Sequence, residues 1–382
     1  MKAHRAILIK LPRDKCDADY IKRLMALTNL TYRGYGVWVP DLPKRVQHQL
    51  YGFKDFKKSL VFGTEPKRWF ARAWVPLKMQ RVYNDGAKRG ASDALVVLDF
   101  RNNIIKIRQV CRSEPGYSIE LPMPKWVVER VGEGGDVRYA MIGLRDNEPY
   151  LALVAEREVE PYQSSGYILA IDVNSWGHGI AWGLIRSGRI VSFKQEGLNP
   201  RRIVSLYNQA VRRERKVGRL KRLGLDDETN AKRARRMARR LRSRAYRLIR
   251  AEAVFLARKL TKKALRYKAM VVIDDVDWEG LRELLMRKYG GRVGKLLLSG
   301  LKRFVKSLVT QLQWYGAPYE FRRLYSRKCP RCEHELTQED GRVMVCTNCG
   351  FKAPRDKVPM YWALIKIKLL PTPKRDKISQ DV

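Results

Sequence analysis

The sequence contains no run of about 18 or more apolar residues, and it is poor in acidic residues. The first absence argues against a membrane-spanning helix, which needs about 20 apolar residues in succession. The apolar part of residues 1–10 is also too short for a signal peptide, so we expect a cytoplasmic protein. Asp and Glu total 39 against 79 Lys and Arg, which gives a formal net charge of +40. This imbalance predicts a polyanionic partner, and without an apolar run nucleic acid is favoured over an anionic membrane surface.

The six cysteines fall into two groups. Four of them form two C-x-x-C pairs, at Cys329 and Cys332 and at Cys346 and Cys349. Cys16 and Cys111 are isolated in the sequence, and we expect them to be buried apolar residues. This usage is typical of a reducing compartment.

The length of 382 residues predicts two or three domains, and the pattern of the first half changes once. Residues 16–90 are predicted to be helical, with aromatic and basic residues that include Trp69, Phe70 and Trp74. These tryptophans suit either a core or a surface on which bases stack. Short strands are predicted at 3–11, 95–100, 104–110, 117–121, 137–144 and 150–156. Strands of this number and length fit a small β-barrel.

The second half contains strands that end in carboxylates. Residues 167–172 read as a buried strand that ends at Asp172, followed by strands at 179–185 and 189–193 around the turn at Ser187 and Gly188. A strand that ends in Asp and continues into a hairpin is how an RNase H-like fold begins. A further buried strand at 269–273 ends at Asp274 and Asp275. A helix at 296–314 and a strand at 319–324 follow.

The stretch 201–250 is the most basic of the chain, with 19 Lys or Arg against four acids. Leu241, Ala245, Leu248, Ala251 and Phe255 have helical spacing and are predicted to form the packed face. An ordinary solvent-exposed face mixes both signs of charge, so a face that follows nucleic-acid phosphates is the better interpretation. A break at 224–229 predicts two antiparallel helices. The residues predicted to bind nucleic acid here are Arg212, Arg213, Arg235, Arg236, Arg239 and Arg240.

The spacing of the two C-x-x-C pairs, with thirteen residues between them, predicts a zinc ribbon. Four thiolates saturate a zinc ion, so this site is structural, and His334 is interpreted as a bystander. After the ribbon, Arg355 and Asp356 are predicted to begin a helix with an apolar face at Trp362, Ile365 and Leu369.

Asp172, Asp274 and Asp356 are therefore the candidate catalytic residues. In an RNase H-like sheet the ends of the two central strands and the start of a closing helix converge at one edge. Converging carboxylates repel each other unless divalent cations are bound, and two Mg²⁺ ions would serve phosphodiester cleavage. Each carboxylate taken singly is also compatible with a local structural role.

The second half resembles the TnpB family, insertion-sequence proteins related to type V CRISPR effectors. The resemblance rests on Ile-Asp-Val-Asn-Ser at 171–175, Val-Val-Ile-Asp-Asp at 271–275 and the ribbon with its flanks at 325–350. It implies a RuvC-type nuclease domain, RNase H-like, with an inserted zinc ribbon. It also implies a β-barrel wedge domain that is interrupted by a helical recognition domain. Family members use a guide RNA from their own element to find and cut DNA.

The chain departs from the family pattern at two places. The family has Glu where this chain has Asp274, which is shorter by one methylene. After the ribbon the family reads Asp-Arg-Asp, any residue, then Asn-Ala-Ala, whereas residues 354–360 read Pro-Arg-Asp-Lys-Val-Pro-Met. Asp356 is kept, but Pro354 and Val358 replace an aspartate and an asparagine. Such changes suit a relative that binds without cutting, yet every metal-ligand position still carries a carboxylate.

The sequence as a whole predicts an α/β multidomain, Mg²⁺- or Mn²⁺-dependent, RNA-guided DNA endonuclease. Its expected partners are a guide RNA from its own locus and double-stranded target DNA, with no membrane, and Arg355 is expected to contact a phosphate near the cut. The alternatives are a cleavage-deficient RNA-guided regulator and an RNase H-like transposase. The predicted domains are a wedge (1–15 and 91–160), a recognition domain (16–90), a RuvC-like domain (161–325 and 353–371), a zinc ribbon (326–352) and a disordered tail (372–382).

Overall fold

The computed structural model describes residues 2–32, 42–43, 45–46, 74–132, 134–173, 180–196, 200–225, 229–339 and 341–364. The side chains of residues 30–32 and 200 are not described. The chain divides into two compact units, Met1–Glu158 and Val159–Val382. The predicted tail and the loop after Asp172 lie outside the described residues. So do Trp69, Phe70, Ile365, Leu369 and most of residues 33–73 in the segment predicted to be helical.

Among its described residues, the first unit contains two sheets and two helices of eight or more residues. Its strands are β1 (Lys2–Lys10), β2 (Val75–Leu77), β3 (Met79–Val82), β4 (Lys88–Gly90), β5 (Val96–Asp99), β6 (Ile104–Arg108), β7 (Ser118–Pro122), β8 (Gly135–Arg145) and β9 (Glu148–Glu158). Its helices are α1 (Ala18–Tyr32) and α2 (Lys125–Gly132). The sheet orders are β1-β9-β8-β2 and β4-β3-β5-β6-β7.

The six predicted strands of this unit are confirmed, but within the described residues they belong to two sheets and not to one small barrel. Arg81, which lies on β3 next to β5, links the two sheets. Its guanidinium forms an ion pair with Asp136 on β8 and donates a hydrogen bond, 3.0 Å long, to the carbonyl of Val137 on the same strand. Tyr83 donates to the same Asp136 carboxylate at 3.0 Å. A half-buried ion pair links the two sheets where a closed barrel would have backbone hydrogen bonds.

The end of the predicted helical segment 16–90 is extended chain. Val75, Leu77 and Met79 are buried at alternating positions, which is the period of a strand, and these residues lie in β2 and β3. Trp74 is not helical and packs against Gly143, where an added Cβ would lie 2.8 Å from the indole Cδ2. Of the two interpretations of the tryptophans, the core interpretation therefore holds for Trp74.

Cys16 and Cys111 form a disulfide, which corrects the prediction that they are unpaired. Both residues are buried, as predicted, but their sulfur atoms are bonded to each other across 95 residues of sequence. A structural disulfide does not fit the expectation of a reducing compartment, where such bonds are rare. The cytoplasmic location stays a prediction.

The second unit is an α/β layer structure with a small additional sheet. Its strands are β10 (Tyr167–Val173), β11 (Ile180–Arg186), β12 (Arg189–Glu196), β13 (Met270–Asp274), β14 (Tyr319–Arg322), β15 (Thr337–Gln338), β16 (Val343–Val345) and β17 (Lys352–Pro354). Its helices are α3 (Pro200–Arg222), α4 (Thr229–Arg266), α5 (Trp278–Tyr289), α6 (Gly291–Trp314) and α7 (Val358–Trp362). A 3₁₀ turn, Arg355–Lys357, precedes α7.

The main sheet of this unit has the order β12-β11-β10-β13-β14. Strands β10, β11 and β12 form an antiparallel meander, whereas β13 is parallel to both β10 and β14. The first strand therefore ends in Asp172 and continues into a hairpin, as predicted. The turn of the next hairpin has positive φ at Ser187 and Gly188, 47° and 75°, which also matches the prediction.

The two faces of this sheet pack against different layers. Leu169, Ile171 and Ile273 point into a core that α4 and α6 cover. Ala170 and Val272 point the other way, into a core shared with the ribbon and α7. Helix α7 packs very close to the sheet. A Cβ added at Gly183 on β11 would lie only 2.8 Å from Met360 Sδ on α7.

The face of α4 that packs differs from the predicted one. Of the five predicted residues only Ala245 is buried, and Phe255 is 69% exposed. The buried row is Ala238, Ala245, Ile249 and Ala253, which also has a helical spacing. Alanines carry this contact because they let α4 pack closely against α3 and α6, and a hydrophobic pattern weighted towards Leu and Phe misses them.

Two helices were not predicted. Helix α2 follows Pro124, and helix α5 is capped by Asp277, whose side chain accepts from the N–H groups of Glu279 and Gly280, both at 3.1 Å. Asp277 at the N-cap and Gly290 at the C-cap are start and stop signals that could have identified α5.

Candidate functional site

Asp172 and Asp274 end two neighbouring parallel strands. The strands pair in register up to Ile171 and Ile273, so the aspartates that follow come next to each other along the sheet. Side chains alternate between faces, and Ala170 and Val272, two residues earlier, both lie in the core beneath the ribbon and α7. Both aspartates therefore belong to that face. They are buried, with relative exposures of 3% and 8%.

The environment of Asp274 disfavours its charge. Burial raises the pKa of Asp274 to about 6, and the nearby Asp275 carboxylate adds to this effect. The Leu324 N–H, which donates to Asp274 Oδ1 at 2.8 Å, and the Arg323 charge act in the opposite direction. A carboxylate at a strand end with a raised pKa is ionised more readily once a cation is bound beside it. Asp275 itself is exposed.

Asp356 lies in the 3₁₀ turn that leads into α7 and is held by the ribbon. Arg342 Nη2 donates to Asp356 Oδ1 at 2.7 Å, and the Arg355 N–H donates to the Arg342 carbonyl at 2.7 Å. The helix after it is anchored as well, because Trp362 Nε1 donates to the Lys328 carbonyl at 2.9 Å. Arg342 was not identified from the sequence, in which it is one of many arginines with no motif around it.

The residues that depart from the TnpB pattern are part of the packing of α7. Val358 and Met360 are fully buried in the core between α7 and the sheet, and Pro359 occupies the first turn, where proline is tolerated. Position 358 therefore contributes an apolar contact in this chain and does not face a polar site.

The four ribbon cysteines lie together. Their sulfur atoms are all within 4.8 Å of one another, and the pairs Cys329–Cys349 and Cys332–Cys346 are 3.4 Å apart. Sulfur atoms on a tetrahedral zinc with bonds of about 2.3 Å are separated by about 3.8 Å, so this set fits zinc. Gly350 closes the second knuckle with a φ of 67° and donates to the Cys346 carbonyl at 3.0 Å. His334 is exposed and outside the sulfur cluster, as predicted.

Within the described residues, this cysteine set is the one group of three or more His, Cys, Asp or Glu side chains placed to share an ion. The structure places Asp172, Asp274 and Asp356 around the same face of the sheet but does not bring their oxygens together in such a group. The assignment of these three residues as a catalytic site stays a prediction.

Most of the predicted nucleic-acid-binding arginines are exposed on the hairpin of α3 and α4. Arg212, Arg213, Arg236, Arg239 and Arg240 are exposed, whereas Arg235 and Arg355 are half-buried. Glu214, the acidic residue of α3, forms ion pairs with Arg242 on α4 and with Arg292 on α6. The outer surface of the hairpin is thus left with positive charge that has few acids nearby. No helix of the described chain has the length and apolarity needed to span a bilayer.

No family model matches this chain, and no curated protein matches it. Among solved structures, the chain is similar to one described as a cryo-EM structure of CasPhi-2 (Cas12j) bound to crRNA. The similarity has a TM-score of 0.35 and 11% sequence identity, over 69% of this chain and 68% of that chain. Similarity at this level establishes neither a shared fold nor a shared function.

Proposed function

We propose that the protein is an RNA-guided DNA endonuclease of the TnpB type, with an RNase H-like, RuvC-type nuclease domain in its second unit. Asp172, Asp274 and Asp356 are its metal-binding catalytic residues. A guide RNA from its own locus and double-stranded target DNA are its partners. The four ribbon cysteines hold a structural zinc ion.

The observation that carries the proposal is the placement of two aspartates at the ends of adjacent parallel strands. Asp172 and Asp274 share a face of the sheet, and α7, which follows Asp356, packs on that same face. Asp172 and Asp274 are both buried. Burying an ionisable group is costly, and functional sites are where such groups concentrate. Arranged this way, they suit the hydrolysis of a phosphodiester.

The donor set fits a hard divalent cation. Carboxylate oxygens are the ligands that Mg²⁺ and Mn²⁺ favour. Burial raises the pKa of Asp274, so a cation bound beside it would stabilise its ionised form. Bound cations would supply an activated water and stabilise the leaving oxygen. The protein's own part is to hold the three carboxylates, with Leu324 N–H orienting Asp274 and Arg342 orienting Asp356.

Nucleic-acid binding is assigned to the basic hairpin of α3 and α4. Its exposed arginines are spaced along two long helices, which suits a phosphate backbone. The purified protein is expected to carry RNA, and sequencing that RNA should map it to the locus of the gene. A preparation without nucleic acid, and with no preference for its locus transcript over random RNA of equal length, would argue against a guide.

The decisive experiment is guide-programmed cutting of double-stranded DNA with Mg²⁺ or Mn²⁺. Wild type should cut a matched target, whereas Asp172→Ala should bind the same target without cutting it. Binding of both proteins to the target is measured in parallel, so that a loss of cutting can be separated from a loss of binding.

A cleavage-deficient RNA-guided regulator is the second candidate. It is favoured by the shorter side chain at Asp274 and by the pairing of Asp356 with Arg342. The regulator function would replace the endonuclease function if wild type binds its guided target but cuts no better than Asp172→Ala, and if Asp274→Glu restores cutting. Joining of DNA strands without any guide would instead indicate the third reading, a transposase.

A further inference from the structure

A groove lies between α3 and the end of α5. Its cavity has a volume of about 660 Å³. Arg201, Ser205, Asn208 and Arg212 line it from α3, and Lys288 and Tyr289 line it from α5. The α3 residues recur at intervals of three or four, so they form one continuous face of that helix.

The charge of the groove has one sign. Arg201, Arg212 and Lys288 are exposed cations, and no acidic side chain lines the cavity. The nearest acid in sequence, Glu214, is engaged by Arg242 and Arg292. Ser205 and Asn208 add neutral hydrogen-bonding groups, which suit phosphate and sugar oxygens.

The dimensions indicate an extended ligand. Arg201 and Arg212 are separated by eleven residues of helix, or about 16 Å along the axis at about 1.5 Å per residue. An extended ligand that lies along the helix can contact both of them. Tyr289 is half-buried and packs against the core, so its ring is a fixed wall of the groove. Lys288 Nζ lies 5.6 Å from the centre of that ring, which places a cation and an aromatic surface side by side.

We infer that this groove binds the sugar–phosphate backbone of a single nucleic-acid strand, with Tyr289 against a sugar or base. The inference rests on the proposed nucleic-acid function and adds a defined binding site to it. Successive phosphates of the strand contact Arg201, Lys288 and Arg212. The groove shares Arg212 with the residues already predicted to bind nucleic acid and adds Arg201, Lys288 and Tyr289 to them.

The test compares two triple variants of equal charge change in the full chain. The groove variant is Arg201→Gln, Arg212→Gln and Lys288→Gln. The control is Arg282→Gln, Arg287→Gln and Lys295→Gln, which removes exposed cations of α5 and α6 that do not line the groove. Binding of a fluorescein-labelled single-stranded thymidine oligonucleotide is followed by anisotropy over a range of salt concentrations. Thermal unfolding confirms that both variants are folded.

The groove variant should reduce the slope of log Kobs against log salt by about 2, because each single-strand phosphate contact contributes about 0.7. The control should change the slope by much less than that. In wild type, ultraviolet crosslinking should attach the oligonucleotide to the peptide that contains Tyr289.

Equal slopes for the two variants, together with no crosslink at Tyr289, would overturn the groove while leaving the proposed function intact. Loss of binding to an acidic peptide in the groove variant, with an unchanged oligonucleotide slope, would overturn it in favour of a protein partner. Failure of wild type to bind any nucleic acid would remove the proposed function itself. If wild type does not cut DNA but the groove variant still has a smaller salt slope than the control, the binding role of the groove is supported and only the nuclease function is lost.

Discussion

Arg342, in the hairpin of the zinc ribbon, donates a hydrogen bond from Nη2 to Oδ1 of Asp356 at 2.7 Å. The same arginine accepts from the Arg355 N–H through its carbonyl, so both its backbone and its side chain fix the turn that carries Asp356. The ribbon thus does more than fold around its own metal. It sets the position of one candidate catalytic carboxylate.

Replacing Arg342 tests this positioning role. Arg342→Ala should lower guided cutting about 10- to 100-fold and raise the Mg²⁺ concentration needed, because outer partners that orient metal ligands have effects of this size. Arg342→Lys should recover part of the loss. Arg327→Ala, at an exposed arginine next to the ribbon, is the control and should cut normally. Faster cutting by Arg342→Ala would show that the arginine competes with the cation for Asp356.

Zinc removal should affect both the ribbon and the cutting reaction. Purified protein is expected to contain one zinc ion per chain, and Cys346→Ser should lose it because three thiolates bind far more weakly than four. Loss of the ribbon fold should also displace Asp356 and reduce cutting at saturating Mg²⁺. His334→Ala should retain zinc and activity. Metal analysis by mass spectrometry measures the first result, and zinc retained by Cys346→Ser would contradict the site.

The raised pKa of Asp274 predicts a pH dependence of stability without added Mg²⁺. The pKa is about 6 in the folded protein and about 3.9 in an unfolded chain, so folding favours the protonated form. The resulting stability is complete below about pH 4 and is lost as the pH rises through about 6, a change of up to about 3 kcal/mol.

Urea unfolding at several pH values measures this change. Asp274→Asn cannot ionise, so its stability relative to wild type should increase between about pH 4 and about pH 6 and stay constant above that. Asp275→Asn, which changes the exposed neighbouring residue, should show nearly the same dependence of stability on pH as wild type. Added Mg²⁺ should stabilise wild type mainly above about pH 6, where the carboxylate is free of its proton. A stability difference between Asp274→Asn and wild type that is independent of pH would contradict the assignment.

The packed face of α4 can be tested with two truncations. Ile249 is fully buried and Phe255 is 69% exposed. Ile249→Ala should therefore cost about 2–5 kcal/mol of unfolding free energy, whereas Phe255→Ala should stay within about 0.5 kcal/mol. Urea denaturation of both variants gives the comparison. A larger loss of unfolding free energy in Phe255→Ala than in Ile249→Ala would instead support the packed face predicted from the hydrophobic pattern.

The features that could be predicted from sequence are those with local signals. The ribbon follows from two short cysteine motifs, and the strands that end in Asp172 and Asp274 follow from apolar runs that stop at a charge. The parallel pairing of those two strands then places the aspartates side by side, although the loop after Asp172 lies outside the described residues.

The features that were missed depend on partners distant in sequence or on weak apolar signals. Nothing near Cys16 indicates Cys111 as its partner, and nothing near Arg342 indicates Asp356. The face of α4 was misassigned because alanines contribute little to a hydrophobic pattern yet allow the closest packing. Helix α5, by contrast, does carry a local signal, the Asp277 side chain at its N-cap.

The helical hairpin of α3 and α4 also has a consequence for how the chain can be divided. The chain leaves the sheet after β12 and returns at β13, so the whole hairpin lies between Asp172 and Asp274 in sequence. A break between Leu223 and Thr229 would leave one aspartate on each fragment, and their pairing would then depend on fragment concentration. A longer connection there would cost little, since each doubling of a loop costs only about 0.6 kcal/mol. A cut or an inserted domain next to Leu223 and Gly224, just after α3, would therefore leave the strand order of the sheet unchanged.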